Sequence, residues 1–416
     1  MRFYIYNFGC KVNSYESNIM KENMISNGYV FNEDADIYII NTCTVTNTAC
    51  KKCLKVIRQV KKNHPDSLVV VTGCLTQVEP ELVDADIVIG NVGKSNIAKY
   101  IKEYQSKIVD VKDIMVSPFE DMKLNNFDKT RAFIKIEDGC ENYCSYCIIP
   151  YARGKVRSKK KEIIFEEVDN LVKNGHKEIV LSGIHTGHYN LDNYTFSDLL
   201  NDLVKVPGLE RIRISSIEIN EITDEVLDVF RKSEVLVDHI HIPLQSGSNE
   251  ILKLMNRKYL KEEFISRINK IRSVRPNISI TTDLIVGFPN ETDELFNETI
   301  DTIKKIRFSK IHVFPFSRRK NTKADLMDNQ IDEVVKKERV KKIIELSKEL
   351  ELEYFNKYVN KEVIFIPEVY KDGYLEGHTG NYLLVRAKGC ESLLNRDVKC
   401  LIKEVSYPYC IGEISD

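Results

Sequence analysis

The segment with the clearest potential for chemistry holds three cysteines within eight residues, in the run Asp138-Gly139-Cys140-Glu141-Asn142-Tyr143-Cys144-Ser145-Tyr146-Cys147. The neighbouring residues offer no obvious fourth ligand. A structural zinc site is closed by four protein ligands, whereas a four-iron cluster on three thiolates keeps one iron free to bind another molecule. Cys140, Cys144 and Cys147 therefore predict a [4Fe-4S] cluster that takes part in a reaction.

The spacing Cys-x-x-x-Cys-x-x-Cys, with the aromatic Tyr146 directly before the last cysteine, resembles the radical S-adenosylmethionine (SAM) superfamily. The resemblance implies that the free iron chelates the amino and carboxylate groups of SAM, with Tyr146 among the cofactor contacts. The residues alone leave two other interpretations open. The cysteines could bind zinc together with a distant histidine such as His185 or His188, or they could be buried thiols.

Length and charge limit what the chain can be. Its 416 residues predict two or three domains. Lys plus Arg (61) nearly balances Asp plus Glu (62), so any contact with RNA must come from a local patch. The eleven cysteines are an odd number, and we find neither a signal peptide nor the roughly 18 apolar residues of a membrane helix. We therefore expect a cytoplasmic protein with reduced thiols and no membrane contact.

The first part of the chain predicts an open parallel sheet in an α/β domain. Short β-rich runs at residues 3–6, 37–40 and 68–72 alternate with helical patterns at 14–26 and 46–62. A cysteine follows each run: Cys10, Cys43 and Cys74. Because ligands of such sheets bind beyond the carboxyl ends of the strands, we expect these thiols to converge on a second cluster. Position alone also allows three small buried hydrophobic residues.

The residues around these cysteines narrow the choice, namely Gly9-Cys10-Lys11-Val12-Asn13, Asn41-Thr42-Cys43-Thr44-Val45-Thr46-Asn47 and Thr72-Gly73-Cys74-Leu75. They resemble the amino-terminal domain of the methylthiotransferases, which implies an auxiliary [4Fe-4S] cluster on Cys10, Cys43 and Cys74. Cys50 and Cys53 form a further Cys-x-x-Cys pair within a helical pattern that has a basic face. We interpret both as incidental thiols, and the alternative is a transient disulfide or a role in handling sulfur.

From about residue 131 to 316, six β-like runs alternate with helical segments, at residues 132–136, 178–181, 211–214, 239–244, 278–286 and 310–314. This spacing predicts a partial (β/α)6 barrel with its active-site groups just after the strands. Polar residues or glycine stand at those places, as Ser182-Gly183, Ser215-Ser216-Ile217-Glu218 and Gln245, and Asp283 lies within the fifth run. The family resemblance implies that Ser182, Gly183, Glu218 and Gln245 contact SAM, although strand-end residues of this kind are more often solvated.

The last part of the chain predicts a long helix at residues 331–358 and then strands at 362–368, 374–387 and 398–405, forming a small β-barrel. It resembles the RNA-binding TRAM domain of the methylthiotransferases. From residue 356 onward, eight Lys or Arg stand against nine Asp or Glu, so binding of RNA would need a clustered basic face or stacking on Tyr370, Tyr374 or Tyr382. A simple packing domain is the alternative. The expected domains are residues 1–118, 126–350 and 356–416.

The resemblance covers nearly the whole chain, and the residues around Cys10 and Cys43 are similar to the branch that modifies threonylcarbamoyladenosine. It implies a radical SAM enzyme that adds a methylthio group to carbon-2 of this nucleoside, next to the anticodon of tRNA. SAM cleavage at the first cluster would give a 5'-deoxyadenosyl radical that removes hydrogen from carbon-2. The second cluster would hold or supply sulfur, which another SAM methylates.

The expected partners are tRNA and a small electron-transfer protein such as flavodoxin or ferredoxin. Two rival functions remain open. One is a sister methylthiotransferase acting on isopentenyladenosine in tRNA or on a ribosomal-protein aspartate. The other is a non-catalytic iron-sulfur carrier or RNA-binding protein with the same fold.

Overall fold

The computed structural model describes residues 1–415 and begins with a parallel sheet between helices. Its elements in chain order are β1 (Arg2–Asn7), α1 (Lys11–Ser26), β2 (Val30–Phe31), β3 (Ile37–Thr42), α2 (Asn47–Asn63), β4 (Leu68–Gly73), α3 (Cys74–Val78), β5 (Ile87–Ile89), α4 (Ile97–Lys102) and β6 (Ile108–Asp110). The strand order is β2-β1-β3-β4-β5-β6, with every pair parallel. Every residue of β3 is buried, as expected for a parallel strand covered on both faces.

The middle of the chain alternates strands and helices. Its elements are β7 (Arg131–Lys135), β8 (Glu137–Asp138), α5 (Ile149–Arg153), β9 (Arg157–Ser158), α6 (Lys161–Lys173), β10 (Glu178–Ser182), β11 (Asn190–Leu191), β12 (Tyr194–Thr195), α7 (Phe196–Leu203), β13 (Arg211–Ile214), α8 (Asp224–Lys232), β14 (His239–His241), α9 (Asn249–Leu254), α10 (Lys261–Val274), β15 (Ser279–Val286), α11 (Asp293–Ile306), β16 (Lys310–Pro315) and α12 (Glu333–Asn356).

Six parallel strands form the predicted partial barrel. They pair as β7-β10-β13 and β14-β15-β16. An isolated parallel β-bridge between Ile212 and Leu236 connects the two sets. The buried apolar side chains of the strands and surrounding helices form one core. No pairing joins β7 to β16 among the described residues, so the barrel is open on that side.

Helix α1 of the first unit packs against β7 at one margin of this opening. Its Tyr15 belongs to the barrel core, and the hydroxyl of Tyr15 donates to Glu167 of α6 at 2.5 Å. The first unit therefore covers part of the barrel, which brings the carboxyl ends of both sheets toward the same region.

The carboxy-terminal unit is a closed antiparallel and parallel barrel in the order β17-β18-β19-β21-β20. Its strands are β17 (Glu362–Lys371), β18 (Tyr374–Thr379), β19 (Leu384–Lys388), β20 (Val398–Ser406) and β21 (Tyr409–Ile414). The prediction of a single strand over residues 374–387 was wrong, because Thr379 closes a turn there by accepting a hydrogen bond from the Leu383 amide (2.9 Å). The sequence analysis also missed β21.

The long helix α12 joins the two barrels. Its Glu351 accepts hydrogen bonds from Lys310 of β16 and from the hydroxyl of Tyr407, both at 2.9 Å. The predicted fold class, an α/β chain with a parallel sheet, a partial barrel and a small β-barrel, is confirmed. No helix within residues 1–415 is long and apolar enough to span a membrane.

Candidate active site

The cysteine loop between β8 and α5 is held in one conformation by its backbone. The amide of Cys140 donates to the carbonyl of Gly154 at 3.0 Å. Gly139 before it has φ 93°, and a Cβ at that position would lie 1.9 Å from the carbonyl oxygen of Lys155. Only glycine fits there, so the loop presents its thiols in a fixed orientation.

The three thiols of this loop are close neighbours. Burial, with further contributions from Cys147 and Cys144, raises the pKa of Cys140 to about 12. Burial and the nearby Cys144 likewise raise the pKa of Cys147 to about 12. Burial thus disfavours the thiolate forms of Cys140 and Cys147, and a bound metal centre is a group that would stabilise them.

The structure also brings Cys10, Cys43 and Cys74 together. They follow β1, β3 and β4, which are adjacent strands of the parallel sheet. A Cβ on Gly9 would lie 3.3 Å from the Sγ atom of Cys43, which shows how closely the first two loops approach. Burial, with contributions from Cys74 and Cys10, raises the pKa of Cys43 to about 12. This donor set of three grouped thiols fits an iron-sulfur cluster.

A buried guanidinium of the partial barrel lies beside the second cysteine group. Arg153 follows the loop of Cys140, Cys144 and Cys147, and its Nε atom lies 3.3 Å from Cys74 Sγ. Its Nη2 atom donates to the side-chain oxygen of Asn13 at 2.7 Å. The side chain is completely buried. A single residue of the barrel thus contacts the cysteine site of the first unit.

Arg153 belongs to a cluster of buried charges that spans both units. Glu16 of α1 pairs with Arg153, with Lys94 and with Lys135, the last at 2.9 Å. Asp138 accepts from Lys135 at 2.7 Å. Burial alone would raise the pKa of Glu16, but the three cations outweigh it and hold that pKa well below its usual range.

The expected SAM contact Glu218 lies beside the first cysteine loop. It pairs with Arg257, whose Nη1 atom lies 3.4 Å from Cys144 Sγ. These three residues line a cavity of about 190 Å³. Glu218 is therefore connected to a cysteine of the loop through one cation.

Ser182 and Gly183 end strand β10 near a second carboxylate. A Cβ on Gly183 would lie 2.7 Å from Glu137 Oε2, so the turn requires a residue without a side chain. Ser182 Oγ, Glu137 Oε1 and Thr186 Oγ1 are buried and make no hydrogen bond within residues 1–415. Burial raises the pKa of Glu137 well above its usual range. Such unpaired polar atoms fit a polar ligand such as the methionine part of SAM.

Tyr146 lies in the first cysteine loop, whereas Gln245 lies shortly after the end of barrel strand β14. Burial raises the pKa of Tyr146, which lies among Arg257, Cys144 and Cys147 and packs edge-on against Phe288 at 6.4 Å. Gln245 has φ 61° and is held through its backbone between strand neighbours. Its side chain makes no hydrogen bond within the part of the chain that the structure describes.

The zinc alternative has geometric support at one position. The Nδ1 atom of His185 lies 3.8 Å from Cys140 Sγ. The other ring nitrogen of His185 approaches Glu221, which is also 3.3 Å from Nε2 of His188. Distance alone does not decide between zinc and an iron-sulfur cluster at the first cysteine loop.

A cavity of about 560 Å³, the shared cavity, is lined by all three units. The parallel-sheet unit contributes Cys10 and Lys11, and the carboxy-terminal barrel contributes Tyr382. From the partial barrel come residues at or near the ends of its strands, namely Gly183, Ser215, Ser216, His239, His241, Thr281, Asp283 and His312. A second cavity of about 670 Å³, between β7 and β17, has no cysteine in its lining.

Tyr382 faces the shared cavity and stacks on His239 with ring centres 4.6 Å apart. Arg213 lies 4.8 Å from the centre of its ring and donates to the carbonyl of Gly380 at 3.0 Å. Tyr370 is exposed on the outer surface, whereas Arg386 covers the ring of Tyr374 at 4.5 Å. Of the three tyrosines considered for RNA stacking, Tyr382 is thus part of the cavity wall.

Cys50 and Cys53 lie apart from the shared cavity, in the core between α2 and the parallel sheet. Their Sγ atoms are 3.9 and 3.7 Å from the carbonyl oxygen of Cys43. Cys400 and Cys410 are buried in the carboxy-terminal barrel, and Cys390 is exposed.

Sequence reasoning missed Arg153, Arg257, Glu137 and Glu16. Two of them could have been found from their closeness to the cysteines in the sequence, since Glu137 precedes Cys140 by three residues and Arg153 follows Cys147 by six. Glu16 also follows a cysteine, Cys10, by six residues, but a single glutamate in a helical pattern ordinarily faces solvent.

Two family profiles match the chain. The radical SAM superfamily matches residues 134–303, and the uncharacterized protein family UPF0004 matches residues 2–90. The two matched segments contain the two groups of cysteines. The first match favours an iron-sulfur cluster over zinc at the loop that begins with Cys140.

Curated relatives extend over nearly the whole chain. The threonylcarbamoyladenosine tRNA methylthiotransferase MtaB of Bacillus subtilis is 44% identical over 97% of this chain and 94% of its own length. The protein of the same name from Thermotoga maritima is 39% identical over 90% of this chain and 89% of its own length. A tRNA-2-methylthio-N(6)-dimethylallyladenosine synthase of Natranaerobius thermophilus is 36% identical over 96% of this chain and 94% of its own length.

Solved structures support the fold. The radical S-adenosylmethionine methyltransferase TsrM from Kitasatospora setae, bound to tryptophan and a SAM analogue, has a TM-score of 0.56 and 14% identity. The match covers 75% of this chain and 72% of that chain. At this identity the likeness concerns the fold alone.

Proposed function

This chain belongs to the radical SAM methylthiotransferase family, and on that premise we propose that it adds a methylthio group to carbon-2 of threonylcarbamoyladenosine, next to the anticodon of tRNA. The observation that carries the proposal is the contact of Arg153, which follows the first cysteine loop by six residues, with Cys74 of the second cysteine group, beside a cavity that Cys10 lines. Sulfur insertion needs both a radical source and a sulfur donor close to one substrate atom.

The family uses SAM and two [4Fe-4S] clusters. We assign the SAM-binding cluster to Cys140, Cys144 and Cys147 and the auxiliary cluster to Cys10, Cys43 and Cys74. When bound, these cofactors supply hydrogen abstraction at the adenine carbon, the sulfur that replaces the hydrogen, and the methyl group.

The residues around the first loop would bind and orient SAM. Glu137 and Ser182 offer buried oxygen atoms without a protein partner, and Gly183 lets a ligand approach the backbone. Glu218, held by Arg257, supplies a further acceptor beside Cys144. Tyr146 and Gln245 complete the proposed set of SAM contacts.

The charges between the two sites would fix their relative position. Arg153 donates toward Cys74 while its backbone continues from the first cysteine loop. Glu16 of the parallel-sheet unit pairs with Arg153 and also with Lys94 of its own unit. A displacement of one cluster site from the other therefore requires breaking buried ion pairs, which is costly.

The remaining assignments follow from this function. We propose domains at residues 1–118, 126–350 and 356–416, with the last one, which resembles a TRAM domain, contacting tRNA. A small electron-transfer protein such as flavodoxin or ferredoxin would reduce the first cluster. The protein would act in the cytoplasm, where its tRNA substrate is found.

Mass spectrometry of tRNA nucleosides from a deletion strain tests the substrate. We expect the methylthio group to be lost from threonylcarbamoyladenosine and to return when the gene is restored. Loss from isopentenyladenosine instead would show that the protein acts as the sister enzyme, like the relative from Natranaerobius thermophilus. Unchanged tRNA would contradict both assignments and leave the ribosomal-protein aspartate as the substrate to test.

Iron analysis tests the cluster ligands. Replacing Cys10, Cys43 and Cys74 with alanine should remove about four irons per chain and preserve the reductive cleavage of SAM to 5'-deoxyadenosine. Replacing Cys140, Cys144 and Cys147 should remove the same amount of iron and abolish cleavage. Retention of all iron in the first variant would contradict the auxiliary site. Absence of 5'-deoxyadenosine from the reduced wild type would support a non-catalytic iron-sulfur protein.

A further inference from the structure

Lys11 stands directly after Cys10, at the first residue of α1, and its side chain is exposed to the shared cavity. It makes no hydrogen bond to another side chain and no ion pair within residues 1–415. A cation kept in such a place gains its partner when a ligand binds.

The balance of charge in the shared cavity favours an anionic ligand. Its lining holds two lysines, Lys11 and Lys129, and one carboxylate, Asp283. Asp283 lies 3.4 Å from the ring of His241, on the barrel wall, and is not paired with either lysine. The hydroxyls of Ser215 and Ser216 add neutral hydrogen-bonding groups on the same wall. A ligand that is polar and negatively charged on one side matches this lining.

Building on the proposed function, we propose that Lys11 binds the carboxylate of the threonylcarbamoyl group and thereby selects this nucleoside over one with an uncharged substituent. The threonine part ends in a carboxylate a few bonds from the adenine ring, whereas an isopentenyl group carries no charge. Lys11 is covalently next to Cys10, so a substituent held there belongs to the adenine placed beside the auxiliary cluster site.

The ion pair would form in a partly desolvated cavity, where a hydrogen bond to a charged group contributes more than on the surface. Loss of one such bond corresponds to a change of about 10- to 100-fold in kcat/KM. Because the adenine and the rest of the tRNA bind elsewhere, this change should depend on the carboxylate and not on the RNA as a whole.

A competition experiment measures that dependence. The reconstituted wild type receives, in one anaerobic reaction, equal amounts of tRNA with a free threonyl carboxylate and tRNA in which this group is blocked as its methyl amide. The ratio of the two methylthio products, measured by mass spectrometry, gives the ratio of kcat/KM values. We expect the wild type to prefer the free carboxylate by about 10- to 100-fold. Lys11→Met should reduce this preference to within about threefold of unity.

Two further variants control the result. Lys11→Arg keeps the charge and should retain most of the preference. Lys99→Met removes a lysine that is 70% exposed on α4 of the same unit and should leave the preference unchanged. The iron content and the KM for SAM of Lys11→Met should match those of the wild type, because Lys11 is assigned to the nucleoside alone.

The alternatives give different outcomes. An equal loss of kcat/KM in Lys11→Met on both tRNAs would indicate that Lys11 contacts a backbone phosphate. A raised KM for SAM would indicate that it contacts the carboxylate of the cofactor. Either result overturns the inference. An unchanged preference in Lys11→Met overturns it as well, while leaving the proposed function intact. Failure of the wild type to modify the tRNA with the free carboxylate would overturn both.

Discussion

The isosteric substitution Glu16→Gln removes the shared anion from the buried charge cluster without changing its shape. Glu16, Lys94, Lys135 and Arg153 are at most 3% exposed, so water does not screen the cations that remain. Removing one partner of a buried ion pair costs about 3–5 kcal/mol. Asp138 still pairs with Lys135 at 2.7 Å, so we expect the lower part of this range, about 3 kcal/mol.

Urea unfolding of the reconstituted protein, kept anaerobic, measures this loss. Circular dichroism is the suitable signal, since the chain has no tryptophan. Glu103→Gln is the matched control: Glu103 is 63% exposed and lies 3.9 Å from Lys99, so its loss should cost less than about 1 kcal/mol. A cost for Glu16→Gln that equals the control would refute the view that this cluster holds the units together.

Three further predictions concern contacts that join the three units. The cations around Glu16 hold its pKa well below 4.5 despite burial, so its stabilisation is complete above that pH and is lost as the pH falls through the native value. The difference in melting temperature between wild type and Glu16→Gln should therefore shrink below pH 4.5, and a constant difference down to pH 2 would argue against this. Arg153→Lys removes the Nε donor 3.3 Å from Cys74 Sγ and should lower the reduction potential of the auxiliary cluster, measured by redox titration with electron paramagnetic resonance, because hydrogen bonds to sulfur raise that potential. An unchanged potential would show that this contact does not tune the cluster. Arg213→Met removes a donor to the Gly380 carbonyl and should weaken the attachment of the carboxy-terminal barrel by about 1.5–3 kcal/mol, seen as faster proteolysis between the two barrels. Equal proteolysis rates would mean that other contacts, such as the ion pair between Arg131 and Glu368 at 3.0 Å, hold the two barrels together.

The sequence predicted those parts of the fold that depend on local patterns. Short β-rich runs followed by Cys10, Cys43 and Cys74 located three adjacent strands, and the rule that ligands bind at carboxyl strand ends brought their thiols together. The six runs of the partial barrel were found in the same way. These predictions succeeded because each rests on residues close together in the chain.

Contacts between segments that are distant in the sequence could not be predicted from it. Glu16 and Arg153 are each ordinary charged residues in their own segments, and only the packing of α1 against the barrel makes them partners. Tyr382 was considered for stacking on RNA because aromatic side chains can stack on bases, yet its ring lies on His239. The turn before it was missed although Gly380 and Asn381, residue types that are typical of turns, directly follow Thr379.

The position of Tyr382 affects how this architecture can be recombined. A carboxy-terminal barrel that touched only RNA could be exchanged between related enzymes without altering the reaction. Here, the barrel supplies one wall of the cavity that also contains Cys10 and the strand ends of the partial barrel. A chimera that carries a foreign carboxy-terminal barrel would therefore inherit a changed wall of this cavity. The last unit is thus part of the structure of the cavity and is not an independent module.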